Sequence, residues 1–203
     1  GQFYPGSKEE WLAQVLEYLG RGEESGKGSF GAMVPHAGYI FSGPVAGRTL
    51  ARARPGGRVL LLGPNHTGQG KPLSVWSEGA WDLPGASVPV DEDLAARVLA
   101  AHDSFQKDDK AHIREHSLEV VLPFLYALNE DTRVVPVAVA EPDLGTLLKA
   151  GRALAGVLRE ESEPVSLVVS SDMSHFISAE AARQKDAQAL QRIYDLDAEG
   201  LYH

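Results

Sequence analysis

Short apolar runs alternate along this chain with longer amphipathic stretches, and these patterns predict strands and helices respectively. Five strands are predicted: one ending at Pro35, then Arg58–Leu62, Pro72–Trp76, Val134–Val139 and Val165–Ser170. Six helices are predicted: one ending at Gly20 after a capping box at Ser7–Glu10, then Pro44–Ala53, Asp91–Ala101, Ser117–Leu128, Asp143–Arg159 and Ala179–Tyr194. Strands that alternate with helices predict an α/β fold with a largely parallel sheet and helices on both faces.

The segments between these elements are predicted to be irregular. Gly, Glu and Lys dominate Arg21–Ser29, three prolines or glycines interrupt Trp81–Val90, and His102–Glu115 is a polar stretch. Pro123 falls inside a predicted helix and should kink it, because proline removes a backbone donor and clashes with the preceding turn.

Composition narrows the function classes. The 203 residues fit one domain, 1–203, with 43% hydrophobic and 23% charged residues. A net charge of −9 without a basic cluster argues against a nucleic-acid partner. No apolar stretch approaches the ~18–20 residues of a membrane helix, and no signal-peptide pattern is present, so we expect a cytoplasmic protein without a membrane partner. Cysteine is absent, which excludes disulfides and thiolate ligands within these residues.

A histidine follows shortly after the carboxyl end of three of the predicted strands. These are His36, His66 and His175, in the segments Pro35–His36, Gly63–His66 and Ser170–His175. Ligands of open α/β sheets collect beyond the carboxyl ends of the strands, and imidazole is the commonest metal ligand. Each histidine alone could equally be a loop residue that hydrogen-bonds to the backbone. Three at equivalent positions indicate one shared polar site.

Other polar residues could join this site. Asp172 could ligate a metal, orient an imidazole, or cap the turn before the last helix. His116 and Glu119, at i and i+3 around a helix start, are expected to point together into the same cleft.

A second metal hypothesis comes from His112, Glu115 and His116, which match the H-x-x-E-H pattern of inverted zinc peptidases. That mechanism requires both histidines on one helical face. The surroundings are very polar and the helix is predicted to begin at Ser117, so His112 should fall outside it. We therefore treat a zinc peptidase as a remote alternative.

The chain resembles the Memo-like family, also called AmmeMemoRadiSam system protein B. The resemblance lies in five segments that run in order along nearly the whole chain: Phe3–Gly6, Pro35–Tyr39 with Ser42-Gly43, Gly63–His66, Glu115–Glu119 with Leu122-Pro123, and Ser170–His175. That family is similar to the catalytic subunit of class III extradiol dioxygenases, which use non-haem iron(II). The resemblance implies a three-layer α/β/α sandwich with a parallel or mixed central sheet.

The resemblance also implies roles for individual residues. His36 and His66 correspond to metal ligands and His175 to an acid–base residue beside Asp172, while Tyr39, Asn65, His116 and Glu119 would line the pocket. Memo-like proteins carry a Cys-Gly motif further along, so the third ligand is expected beyond His203, in a C-terminal segment that this domain would lack. Iron(II) is the expected cofactor, with copper or zinc as alternatives.

The function expected from these features is metal-dependent redox or oxygenase chemistry in a dioxygenase-like pocket. The alternative is a non-catalytic module that binds a small molecule or peptide in the same pocket. The resemblance also suggests a functional association with radical-SAM and AMMECR-type proteins.

Overall fold

A computed structural model describes residues 1–20 and 28–203 and has the predicted α/β fold. The strands are β1 Gly31–Val34, β2 Arg58–Pro64, β3 Leu73–Val75, β4 Ala80–Leu83, β5 Ala86–Pro89, β6 Phe105–Lys107, β7 Arg133–Val139 and β8 Ser166–Ser170. The helices are α1 Lys8–Gly20, α2 Tyr39–Ala53, α3 Glu92–Ala101, α4 Leu122–Leu128, α5 Leu144–Glu160, α6 Ala179–Tyr194 and α7 Ala198–Tyr202. A 3-10 turn at Glu119–Val121 leads into α4.

The central sheet has six strands in the order β1-β8-β2-β7-β3-β6. The first four are parallel to one another, and the β3–β6 pair runs antiparallel to them because β3 pairs antiparallel with β7. Val59, Leu60 and Leu61 of β2 are fully buried, as expected for an apolar run in a central strand. The carboxyl ends of β1, β8 and β2 therefore meet at one edge of the sheet.

Two groups of helices flank the sheet and complete a three-layer α/β/α sandwich. In one group α1 packs against α2 and α4, with Trp11 and Val15 of α1 fully buried. In the other group α3 packs against α5, and α7 contacts both α5 and α6. Asp91 caps α3 as predicted, since its side chain accepts a hydrogen bond from the backbone N–H of Leu94.

Three segments of the sheet and its flanking helices differ from the sequence predictions. Trp81–Val90 contains a hairpin of β4 and β5 around Gly85, whose φ of +73° suits glycine, instead of a plain loop. The polar stretch after α3 contains β6, which pairs with β3. α2 begins at Tyr39, before Pro44, because the carbonyl of Gly38 accepts hydrogen bonds from Phe41 and Ser42.

The predicted kink at Pro123 is absent for a local reason. The predicted helix Ser117–Leu128 is divided into a 3-10 turn and α4, and Pro123 lies in the first turn of α4, where no intrahelical donor is lost. The end of the chain adds α7, which the pattern did not predict. Of the predicted Arg21–Ser29 loop, residues 21–27 lie outside the described residues.

Among the helices that the structure describes, none is both long enough and apolar enough to cross a membrane.

Candidate metal centre

Three histidines from separate segments converge at the carboxyl edge of the sheet. His36 lies two residues after β1, His66 two residues after β2, and His116 in the turn before α4. Each offers a ring nitrogen, and these three atoms lie within 4.8 Å of one another. The ring centroids are 5.0 to 5.7 Å apart. Three imidazoles at this spacing could hold one metal ion.

A serine at the end of β8 fixes the orientation of His36. The hydroxyl of Ser170 donates a hydrogen bond of 2.6 Å to the carbonyl of Ser117 and lies 2.8 Å from Nδ1 of His36. Because the single hydroxyl proton is used at Ser117, Ser170 must accept from Nδ1–H of His36. The Nε2 of His36 therefore keeps its lone pair, which is the form that binds a metal.

A buried carboxylate fixes the orientation of His66. Nδ1 of His66 lies 2.9 Å from Oε1 of Glu115, whose side chain has no exposed surface. The backbone N–H groups of His66, His116 and Ser117 donate to the same carboxylate. An ionised carboxylate can only accept, so the neutral ring of His66 carries its proton on Nδ1 and leaves Nε2 free.

Close packing joins this carboxylate to the strand ends. Ser117 is fully buried, and its hydroxyl donates to the carbonyl of Pro64 at the end of β2. A Cβ at Gly63 would lie 2.7 Å from a methyl carbon of Leu118 and 3.2 Å from Cβ of Ser170, so a side chain there would force this packing to shift. Glycine at position 63 is thus part of how the site is built.

The surroundings favour the neutral form of His36 and His116 and the charged form of Glu115. Burial lowers the pKa of His36 against the opposing effect of Asp172, and burial likewise lowers the pKa of His116. Burial alone would raise the pKa of Glu115. The hydrogen bonds from His66 and from backbone N–H groups outweigh it and lower the pKa of Glu115 to about 2. Neutral imidazoles beside a buried negative charge suit a cation.

Asp172 connects this cluster to His175. One oxygen of Asp172 accepts a 2.7 Å hydrogen bond from the backbone N–H of His36. The other lies 3.8 Å from Nε2 of His36 and 3.4 Å from Nε2 of His175. The side chain of His175 is 57% exposed, so it lies at the solvent side of this edge. The acid–base roles of both residues stay predictions.

The predicted pocket residues occupy different environments. Glu119 accepts a 2.6 Å hydrogen bond from the hydroxyl of Tyr4. Tyr39 is buried and donates to the carbonyl of Val120, and the side chain of Asn65 bonds to its own loop at Thr67 and Gln69. Their roles as pocket residues stay predictions, and so does a third ligand beyond His203.

His112 lies apart from the cluster. It is buried against Trp76 and Trp81, with Nε2 3.1 Å from the carbonyl of Ser74, and Nδ1 has no hydrogen-bond partner among the described residues. Residues 112–114 form a turn and residues 115–116 are irregular, so no helix joins His112 to His116 and the two do not share a helical face. The zinc-peptidase hypothesis therefore finds no support in this geometry.

Sequence reasoning missed three contributors to the site. The sequence assigns Glu115 no role outside the peptidase hypothesis and Ser170 no role of its own, although both lie in segments that match the family. Phe3 stacks on His116 with ring centroids 4.3 Å apart and an interplanar angle of 7°. A serine that ends a buried strand directly before an acidic turn was the one usable signal for Ser170. Phe3 gave none, because its contact is distant in sequence.

Comparisons with known proteins all point to one family. A family model described as Memo-like protein matches residues 1–203. A MEMO1 family protein of Aquifex aeolicus is 42% identical over 205 residues, which cover all of this chain and 75% of that protein. A MEMO1 family protein of Methanopyrus kandleri is 39% identical over 216 residues, covering 99% of this chain and 76% of the relative. One of Pyrobaculum arsenaticum is 36% identical over 213 residues, covering 100% and 76%.

Proposed function

Since this chain belongs to the Memo-like family and brings three imidazoles together, we propose that it binds a divalent transition metal, iron(II), for redox chemistry on a small organic ligand. The observation behind this proposal is the convergence of three ring nitrogens within 4.8 Å at the carboxyl edge of the sheet. Imidazole ligands suit iron, copper and zinc, and a three-donor site leaves positions for a ligand.

The residues present fit such an ion. In the neutral rings of His36 and His66, Nε2 carries the lone pair because Ser170 and Glu115 each accept from Nδ1–H. Two carboxylates, Glu115 and Asp172, lie beside these imidazoles. When bound, the metal supplies Lewis acidity and one-electron redox chemistry.

The chain itself would supply proton transfer. His175 contacts both solvent and Asp172, so its Nε2 can exchange a proton with water while the carboxylate stabilises the charged ring. Asp172 also holds the backbone of His36 in place, which keeps the proton carrier and the cluster in a fixed relation.

Metal binding is tested first. We expect anaerobically purified protein to bind one equivalent of iron(II) in a chelator-competition titration, and the double variant His36→Ala/His66→Ala to lose it. His102→Ala is the matched control, since His102 bonds locally to Ser104 outside the cluster. Undiminished iron in the double variant would contradict the proposal. Parallel titrations with copper and zinc identify the preferred metal.

The exposure of His175 favours a second candidate, a ligand- or peptide-binding module without turnover. An acid–base residue that is more than half exposed is poorly shielded from water. Oxygen uptake with a panel of catechols separates the two candidates. Turnover that His175→Ala abolishes supports the redox enzyme, and saturable binding of catechols or peptides without oxygen uptake supports the binding module.

A further inference from the structure

We infer that Glu115 is a positioning residue for the metal centre, which holds His66 in the tautomer that leaves Nε2 free and aligns His116 with it. This inference deepens the proposed metal site. It assigns a task to the acidic residue of the H-x-x-E-H pattern that is unrelated to peptidase chemistry.

The hydrogen bonds of Glu115 converge from two of the three histidine segments. Its Oε1 accepts from Nδ1 of His66 and from the backbone N–H groups of His116 and Ser117, each at 2.9 Å. Its Oε2 accepts from the backbone N–H of His66. One carboxylate therefore ties both the ring and the backbone of His66 to the backbone of His116.

These contacts leave Glu115 unsuited to act as a base. Its side chain is completely buried, and Oε1 already accepts three hydrogen bonds. Among the described residues, its ion-pair contacts are with histidines, His66 and His116, and not with a lysine or arginine. The buried charge of Glu115 is therefore better explained by a role in orienting the imidazoles than by an ion pair with a structural lysine or arginine.

A purely structural role would also use some of these bonds. The bonds to His116 and Ser117 could serve only to stabilise the turn. The bond to Nδ1 of His66 distinguishes the two roles, because it alone determines which ring nitrogen carries the proton. The test must therefore observe that proton directly.

The experiment compares wild type, Glu115→Gln and Glu115→Ala as metal-free proteins at pH 8, about 1.5 units above the ordinary imidazole pKa. Two-bond ¹H–¹⁵N correlation spectra report which nitrogen of each ring is protonated, and loss of signals in His66→Asn assigns His66. We expect wild-type His66 to be protonated on Nδ1. In both variants we expect protonation on Nε2 to become readily detectable. Glu115→Gln keeps the test valid if Glu115→Ala does not fold.

Iron(II) affinity is the second measurement. We expect Glu115→Gln to lower it by about 10- to 100-fold, as for other partners of metal-binding histidines. Asp91→Asn is the matched control, since it removes another buried, hydrogen-bonded carboxylate at the opposite edge of the sheet. It should cost stability and change neither the His66 tautomer nor the affinity.

Three outcomes would overturn the inference: His66 protonated on Nε2 in wild type, an unchanged tautomer in Glu115→Gln, or an altered tautomer with unchanged affinity. If wild type binds no metal, the proposed function fails. The tautomer measurement still decides separately whether Glu115 orients His66.

Discussion

Two buried carboxylates, Asp91 and Glu115, lie at opposite ends of the strands and differ in how their charge is balanced. Asp91 lies at the amino end of β2, where its side chain accepts from Arg58 at 2.6 Å and from the backbone of Leu94. Glu115 lies at the carboxyl end of the strands and, among the residues described, accepts from His66 and backbone N–H groups only. Burial opposes ionisation at both, yet hydrogen bonds lower the pKa of both.

The difference separates a structural carboxylate from a candidate site carboxylate. Arg58 also donates a 2.7 Å hydrogen bond to Glu161, and the guanidinium of Arg97 forms an ion pair with the other oxygen of Glu161 at 2.8 Å, so the charges at that end of the sheet balance one another. Among the described residues, Glu115 has no such arginine, and the rings of His36, His66 and His116 cluster beside it. A bound cation would balance this charge from outside the chain.

The largest expected effect comes from removing the internal cation. Arg58→Met leaves Asp91 buried without its partner, and we expect a loss of about 3–5 kcal/mol in the free energy of unfolding. Denaturant unfolding measures this loss. Iron(II) affinity should not change, because Arg58 is at the opposite edge. A loss below about 1 kcal/mol would show that the two carboxylates do not differ in this way.

Lowering the pH should reveal how much Glu115 contributes to the free energy of unfolding. Its pKa of about 2 in the folded protein lies below the ordinary value of 4.5, so the stabilisation is fully present above pH 4.5 and is lost as the pH falls towards 2. For this shift we expect a contribution of about 3 kcal/mol. The measurement is the free energy of unfolding against pH for wild type and Glu115→Gln. Equal slopes in the two proteins between pH 4.5 and 2 would argue against it.

Bound metal should stabilise the folded protein through the histidine cluster beside Glu115 and not through the Asp91 end of the sheet. At a free iron(II) concentration of about 100 times Kd, wild type should gain about 2.7 kcal/mol. Thermal unfolding with and without a chelator measures the gain under anaerobic conditions. The double variant His36→Ala/His66→Ala should gain nothing, whereas Arg58→Met should gain as much as wild type.

The smallest effect is expected for Ser170, which orients His36 with a neutral hydroxyl as Glu115 orients His66 with a carboxylate. Ser170→Ala removes the acceptor for Nδ1–H of His36 and the donor to the carbonyl of Ser117, at a cost of about 1–3 kcal/mol in unfolding free energy. A hydroxyl binds a ring N–H less strongly than a carboxylate does, so iron(II) affinity should fall less than in Glu115→Gln. A larger fall in Ser170→Ala would reverse the ranking of these two residues.

The sequence was sufficient where one local signal determined the structure. The run Val59–Leu62 predicted a central strand, and the histidine after it lies at the sheet edge as expected. The cap of α3 at Asp91 was predictable, because capping depends on a residue only three positions away. The family motifs added the three-layer architecture, which the described fold confirms.

The sequence was insufficient where a role depends on distant partners. His112 and His116 stand four residues apart in one motif, yet His112 packs against Trp76 and Trp81 while His116 joins the cluster. Phe3 and Ser170 contact the histidines across more than a hundred residues of chain. Periodicity and spacing along the chain contain no information about such contacts.

The strand order has a consequence for the time at which the site can form during synthesis. β8 lies between β1 and β2, and Ser170 at its end follows His36 by 134 residues. A ribosome therefore releases His36, His66 and His116 long before the strand that separates β1 from β2 and orients the first ring. A nascent chain that stops before β8 cannot present the finished cluster, so metal loading should follow the insertion of this strand.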